Sequence, residues 1–167
     1  SVGKTTLVNA LKELEQFKDY NFATERSQHL MSLGIPLNTD STLKGQTVFL
    51  AERCGELIQD NIITDRTVFD VMAFTMNAKS IPYQDKEAFE TYASEFIREY
   101  DYIFYISPHG IEIEDNGIRE TDEHYRDLID FTITTLIKRH GHKAGKIEKI
   151  SGSTEERIQQ ILNITSL

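Results

Sequence analysis

The first six residues, Ser-Val-Gly-Lys-Thr-Thr, constrain the fold more than any other part of the chain. They match the second half of the pattern G-x-x-x-x-G-K-[ST], with Gly3, Lys4 and Thr5 in its last three positions. In that pattern, backbone N–H groups and a helix N-terminus surround a di- or triphosphate, the Lys reaches the outer phosphates, and the hydroxyl ligates Mg²⁺. The stretch therefore predicts a phosphate-binding loop that opens a helix.

The residues that follow this loop have helical spacing. Leu7, Val8, Leu11 and Leu14 form an apolar stripe and predict a helix from Lys4 to about Phe17. The alternative is an ordinary glycine before a helix with a surface lysine, because G-K-T also occurs by chance. The first glycine of the pattern and the strand before it are not in the sequence. We therefore expect a single domain over residues 1–167, N-terminally truncated within the phosphate-binding loop.

Composition narrows the range of partners. A length of 167 residues fits one domain with a proper core. The net charge of -9 argues against binding to duplex nucleic acid or an anionic membrane, because there is no basic field to attract them. The single cysteine, Cys54, excludes an internal disulfide and suits a reducing compartment, and no apolar run reaches membrane-spanning length. We expect a cytoplasmic protein, and its oligomeric state stays open.

Helical and strand patterns alternate along the rest of the chain. This alternation predicts an α/β fold, in which a parallel sheet is flanked by helices. A capping box, Ser153 to Glu156, predicts the start of the last helix. Strands are predicted at 20–23, 61–64, 102–106 and 146–150, and long helices at 44–59, 85–100 and 122–140.

Charged residues follow two of the predicted strands directly. Glu25-Arg26 comes after the strand at 20–23, and Asp65-Arg66 after the strand at 61–64. Ligands of open parallel sheets bind at the carboxyl ends of the strands, so these residues are expected to share one site with the initial loop. The structural alternative is helix capping, because acidic side chains favour helix N-termini.

Together these residues resemble the P-loop nucleoside and nucleotide kinases. Closest in layout are the kinase domains related to nicotinamide-riboside kinase of the bifunctional NAD-repressor type, and thymidylate and deoxynucleoside kinases are more distant. The resemblance implies a three-layer P-loop NTPase fold whose first strand is missing from this chain. The motifs that carry it are Gly3-Lys4-Thr5, Glu25-Arg26, Gln46, Asp65-Arg66 and the late segment Asp115-Asn116-Gly117-Ile118-Arg119.

The resemblance implies a site for ATP and Mg²⁺. Lys4 would hold the outer phosphates, Thr5 and Asp65 would hold the metal, and Arg66 would orient phosphate or the acceptor. Arg119, together with Arg126, would close onto the transferring phosphates from a mobile loop, although both also fit a solvated helix with acidic partners. The cofactor-binding residues implied are Ser1, Val2, Gly3, Lys4, Thr5, Thr6 and Arg119.

The acceptor implied by the resemblance is a small nucleoside or nucleotide. Glu25 would act as general base toward a nucleoside hydroxyl, and Arg26, Gln46 and Arg66 would contact the substrate. The alternative for Gln46 is an ordinary solvated helix residue, although its amide suits the edge of a base. Two other functions stay open, a P-loop ATPase and a module that binds nucleotide without turnover.

Overall fold

The computed structural model describes residues 3–24, 26–109 and 122–167. Four strands are present in these ranges, β1 Asn21–Ala23, β2 Ile62–Thr64, β3 Tyr102–Tyr105 and β4 Lys146–Lys149. The α-helices are α1 Lys4–Lys12, α2 Ser27–Ser32, α3 Leu43–Glu56, α4 Val68–Met76, α5 Tyr83–Ala93, α6 Glu123–His140 and α7 Thr154–Thr165. Short 3₁₀ turns cover Glu15–Phe17, Asn38–Asp40, Ser94–Glu99 and Gly141–Lys143.

Two α-helices begin with a capping box. Thr67 and Asp70 form a capping box that opens α4, and Ser153 and Glu156 form the predicted one that opens α7. Two predicted ends are wrong. The first helix stops at Lys12 rather than Phe17 because Leu14 is extended, with φ -88° and ψ 139°, and the helix predicted to reach Tyr100 changes to 3₁₀ geometry after Ala93.

The strands pair in parallel, as predicted, but in two separate sheets. β1 lies beside β2 with Phe22 opposite Ile63, and β3 lies beside β4 with Ile103 opposite Ile147. The α/β class and the parallel pairing are therefore confirmed. The single continuous sheet is not formed by the four described strands.

Helices cover both faces of β3. Ile103 packs into the larger apolar cluster, which is built mainly from α4, α5 and α6. The next residue, Phe104, packs against the smaller cluster of α1 and α7, with Leu7, Leu11 and Ile161 at its centre. Successive strand residues point to opposite faces, so this division places helices on either side of the strand. No helix in the described part of the chain is both long and apolar enough to span a membrane.

A cavity of about 700 Å³ lies between the two sheets. Three consecutive residues of β2, Ile62 to Thr64, line one side, and five consecutive residues from Tyr102 to Ile106 line the other. A strand that faced the cavity with its side chains would contribute only alternate residues. Consecutive residues mean that the backbone edges of β2 and β3 border the cavity, and we refer to this part of it as the inter-sheet groove.

Candidate nucleotide site

The site begins where Gly3 turns into α1. Gly3 adopts φ +72° and ψ 20°, a left-handed conformation that glycine adopts without steric cost, and its carbonyl accepts the first helical hydrogen bond from Leu7 N at 3.0 Å. Gly3 has no side chain with which to cap the first-turn amides. Amides in this position, with the positive end of the helix dipole behind them, bind anions well.

Thr5 on this first turn contacts the end of β2. Its Oγ1 donates a hydrogen bond of 2.5 Å to Oδ2 of Asp65, although sixty positions separate the two residues. The Asp65 amide donates to the Ala23 carbonyl at 2.9 Å, which holds the carboxylate just beyond the strand end. The two residues predicted to hold the metal are therefore brought together.

Asp65 is well prepared to hold a cation. It is only 2% exposed, and its second oxygen, Oδ1, is buried with no hydrogen-bond partner among the described residues. A buried carboxylate oxygen without a partner is costly, and a bound cation would offset that cost. Carboxylate and hydroxyl oxygens are also the ligands that Mg²⁺ prefers, so the pair fits this ion.

Arg66 is held in an uncommon backbone conformation, with φ +122°. The Thr64 hydroxyl donates to the Arg66 carbonyl at 2.8 Å and helps to hold this geometry. The guanidinium lies over the Phe74 ring, 5.4 Å from its centre, with Asp70 Oδ1 4.0 Å from Nη1. Strained backbone of this kind is concentrated at ligand-binding positions, where surrounding contacts hold it in place.

The cavity that contains the inter-sheet groove extends to the half-loop, where both positively and negatively charged side chains line it. Lys4, Thr5, Asp65 and Arg66 line it. Arg126 from α6 lines the same cavity. A family described as an AAA domain matches residues 1–157 of the chain.

The chain belongs to this AAA domain family. The match covers nearly the whole chain and includes the half-loop, Asp65 and the start of α7. This identifies a P-loop NTPase-type domain, whose characteristic property is nucleotide binding. No curated protein and no solved structure matches the chain.

Two predicted substrate residues of the AAA domain lie away from the cavity lining. Gln46 is 3% exposed, and its Nε2 donates to the hydroxyl of buried Ser41 at 3.0 Å, so its amide is used inside the fold. Arg26 forms an ion pair of 3.3 Å with Glu52 on α3. Thr6 lies on the first turn of α1 and is exposed. Ser1, Val2, Glu25 and Arg119 lie outside the described residues.

A second acidic group on the cavity wall was not predicted. Asp130 on α6 accepts a hydrogen bond of 2.5 Å from the Tyr105 hydroxyl, and its other oxygen lies 3.8 Å from His109 Nε2. Burial, and then the hydrogen bond to Asp130, raises the pKa of Tyr105, so the phenol stays protonated as the donor. The sequence shows Asp130 only as one polar position on an amphipathic helix.

Behind Asp65 lies a buried cluster on α3. Arg53 Nη2 donates to Glu56 Oε1 at 2.6 Å, and both residues are less than 10% exposed. Burial raises the pKa of Glu56 to about 7, against the opposing effect of Arg53, and the charges of Glu52 and Asp65 add to the rise. Arg53 and Glu56 therefore form an ion pair inside the fold, close enough to Asp65 for Glu56 to interact with it electrostatically.

Proposed function

We propose that this AAA domain transfers a phosphoryl group from ATP to a small nucleoside or nucleotide-like acceptor. The contact between Thr5 and Asp65 beside Lys4 carries the proposal, because it joins a phosphate-binding half-loop to a buried carboxylate that fits a metal ion. Thr5 and Asp65 would hold Mg²⁺, which would neutralise charge on the phosphate oxygens.

The roles of the other residues follow from charge and reach. Lys4 would bind the outer phosphates from the start of α1. Arg66 and Arg126 supply two further guanidinium groups to the same cavity, and phosphoryl transfer depends mainly on such positioning and charge neutralisation. Glu25, as general base, and Arg119 remain proposals from the sequence.

An acceptor screen on the complete natural polypeptide tests this function. ADP release is measured with ATP and Mg²⁺ in the presence of nucleosides, nucleoside monophosphates or nicotinamide riboside, for wild type and Lys4→Ala. We expect release that depends on an acceptor and is abolished by Lys4→Ala without a change in the melting temperature. Equal release without any acceptor would identify an ATPase, and ATP binding without release would identify a binding module.

The class of acceptor is tested by two further variants. A nucleoside hydroxyl is a poor nucleophile, so Glu25→Gln should lower kcat by on the order of 10²–10⁴-fold if Glu25 is the base. A monophosphate attacks as an anion and needs no such base. In that case Glu25→Gln would leave kcat near normal, and Arg66→Lys would raise KM because it loses the paired donors that grip a phosphate.

We further propose that the two sheets form one sheet in the complete protein, with one more strand in the inter-sheet groove. The proposal rests on the backbone edges of β2 and β3, which border the groove from opposite sides. Unpaired strand edges in the middle of a fold favour aggregation. We expect a polypeptide that starts at Ser1 to aggregate or to unfold without cooperativity. A soluble monomer with one sharp unfolding transition would contradict the shared sheet.

A further inference from the structure

The C-terminal helix α7 brings a buried guanidinium to the start of α1. Arg157 is 9% exposed, and its Nη1 lies 3.4 Å from the point where a Cβ on Gly3 would sit. One turn further along α7, Ile161 packs against Leu7 and Leu11 and fixes the two helices together. Arg157 is therefore held beside the phosphate-binding half-loop by the core itself.

The start of α7 is also anchored from its own side. Its capping box joins Ser153 and Glu156, and the Gln160 amide bonds to both backbone groups of Ser151, with Nε2 donating to the carbonyl at 2.7 Å and Oε1 accepting from the N–H at 3.3 Å. These contacts set the position of the turn that carries Arg157. The guanidinium is thus placed by three independent sets of contacts, namely the cap, the Gln160 amide and the packing on α1.

The electrostatics of this position favour an anion. Arg157 stays charged at any physiological pH, so its largely buried guanidinium places a fixed positive charge next to Gly3. The neighbouring Gly3 and Lys4 form the N-terminus of α1, which carries the positive end of the helix dipole and the charge of Lys4. The charges of Arg157 and Lys4 and the positive end of the helix dipole therefore all belong to the segment around Gly3, and together they favour a polyphosphate as the ligand there.

We propose that Arg157 is a phosphate-binding residue of the nucleotide site, contributed by α7 at Gly3. This inference rests on the proposed nucleotide function and names a group that the P-loop pattern does not contain. Gly3 presents no side chain between the guanidinium and the loop, so Arg157 reaches the same phosphates as the first-turn amides of α1. The ligand class is a nucleoside di- or triphosphate, and the nucleoside itself contributes nothing to this contact.

The test measures the dissociation constants of ATP, ADP and adenosine for wild type, Arg157→Gln and Arg157→Lys in the complete natural polypeptide, with a melting curve for each. Arg98→Gln is the matched control, because Arg98 is exposed and, among the described residues, pairs with nearby Glu95. We expect Arg157→Gln to weaken ATP and ADP by about 10- to 100-fold, as for a lost charged hydrogen bond, and to leave adenosine unchanged. Arg157→Lys should fall in between, because it keeps the charge and loses the planar fork.

Each result decides a separate point. ATP binding by wild type that Arg157→Gln leaves unchanged would overturn this inference and leave the proposed function standing. Equal weakening of ATP and adenosine with a lower melting temperature would mean that Arg157 only supports the fold, which also overturns it. If the Gln variant does not fold, the ratio of ATP to adenosine affinity in the Lys variant decides. If wild type fails to bind ATP, the proposed function itself is wrong.

Discussion

Two buried carboxylates in this protein have opposite surroundings. Glu90 on α5 has one oxygen that accepts a hydrogen bond from Arg139 and lies 2.8 Å from His140 Nε2, both on α6. Burial opposes ionisation of Glu90, but these two partners hold its pKa below the usual value. Asp65 has one oxygen bonded to Thr5 and the other buried without a described partner.

This difference in hydrogen bonding distinguishes a carboxylate that stabilises the fold from one that is available to a ligand. Glu90 joins two helices, and its partners satisfy it within the fold. Asp65 lies at a strand end beside a cavity and retains an open oxygen, which is the arrangement expected where a ligand completes the contacts. Glu56, which interacts electrostatically with Asp65, also has a buried carboxylate oxygen with no hydrogen-bond partner among the described residues.

The largest effect should come from Asp65→Asn. This change removes the charge that would hold the metal. Loss of a residue that only supports a metal ligand costs on the order of 10–100-fold, so we expect Asp65→Asn to lower Mg²⁺-dependent nucleotide binding or turnover by at least that factor. We expect the melting temperature to stay level or to rise, because a poorly satisfied buried charge is removed. Titration of MgATP binding alongside a melting curve checks this. A large fall in melting temperature with intact MgATP binding would place Asp65 with Glu90 as a structural group.

Glu90→Gln should have the reverse effect. Loss of the charged hydrogen bonds should cost about 2 kcal/mol of unfolding free energy, which corresponds to roughly 4–8 °C in a domain of this size, with nucleotide binding unchanged. The control is Glu95→Gln. Glu95 pairs with Lys143 at an exposed position, so its loss should lower the unfolding free energy less than the loss of Glu90. The pKa of Glu90 is lower in the folded protein than its unfolded value of 4.5. The stability that ionised Glu90 contributes is therefore fully present above pH 4.5 and is lost as the pH falls through the folded pKa. The two melting curves should therefore converge in acid.

The smallest effect is the pH dependence caused by Glu56. Its folded pKa of about 7 is above the unfolded 4.5, so the native state holds a proton that the unfolded chain has lost across this window. Stability due to Glu56 therefore falls as pH rises from 4.5 through 7. Glu56→Gln should flatten this dependence, so that the variant loses less stability than wild type as the pH rises through 7. Urea unfolding at several pH values, with exposed Glu13→Gln as control, measures it, and parallel curves for wild type and Glu56→Gln would contradict the assignment.

Local features of the site were predictable because they depend on neighbours in sequence. Gly3 before an apolar stripe predicts the start of α1, and a strand pattern ending in Asp65-Arg66 predicts a carboxylate at a strand end. The rule that parallel strands present their carboxyl ends to a ligand then predicts that Thr5 and Asp65 meet. The 2.5 Å contact between them agrees with that reasoning.

The roles of single polar residues in helices were not predictable from the sequence. Periodicity shows which face of a helix is apolar, but it does not show which polar side chain will contact a ligand and which will bond within the fold. Gln46 has the chemistry to read a base, yet the fold directs it to Ser41. In the sequence, Arg157 is simply the residue after a capping box. Only the packing of α7 on α1 places its guanidinium beside Gly3. Asp130 gains its place from Tyr105, twenty-five positions earlier.

The sequence by itself therefore determined the alternation of helices and strands, the capping box that opens α7 and the identity of the phosphate-binding half-loop, since propensity, periodicity and motif spacing act over a few residues. Only the tertiary structure decided which charges are satisfied inside the fold, which line the cavity, and that the four described strands stand as two pairs with a groove between them. These are properties of contacts between distant segments, and their energies depend on burial, which no local pattern encodes.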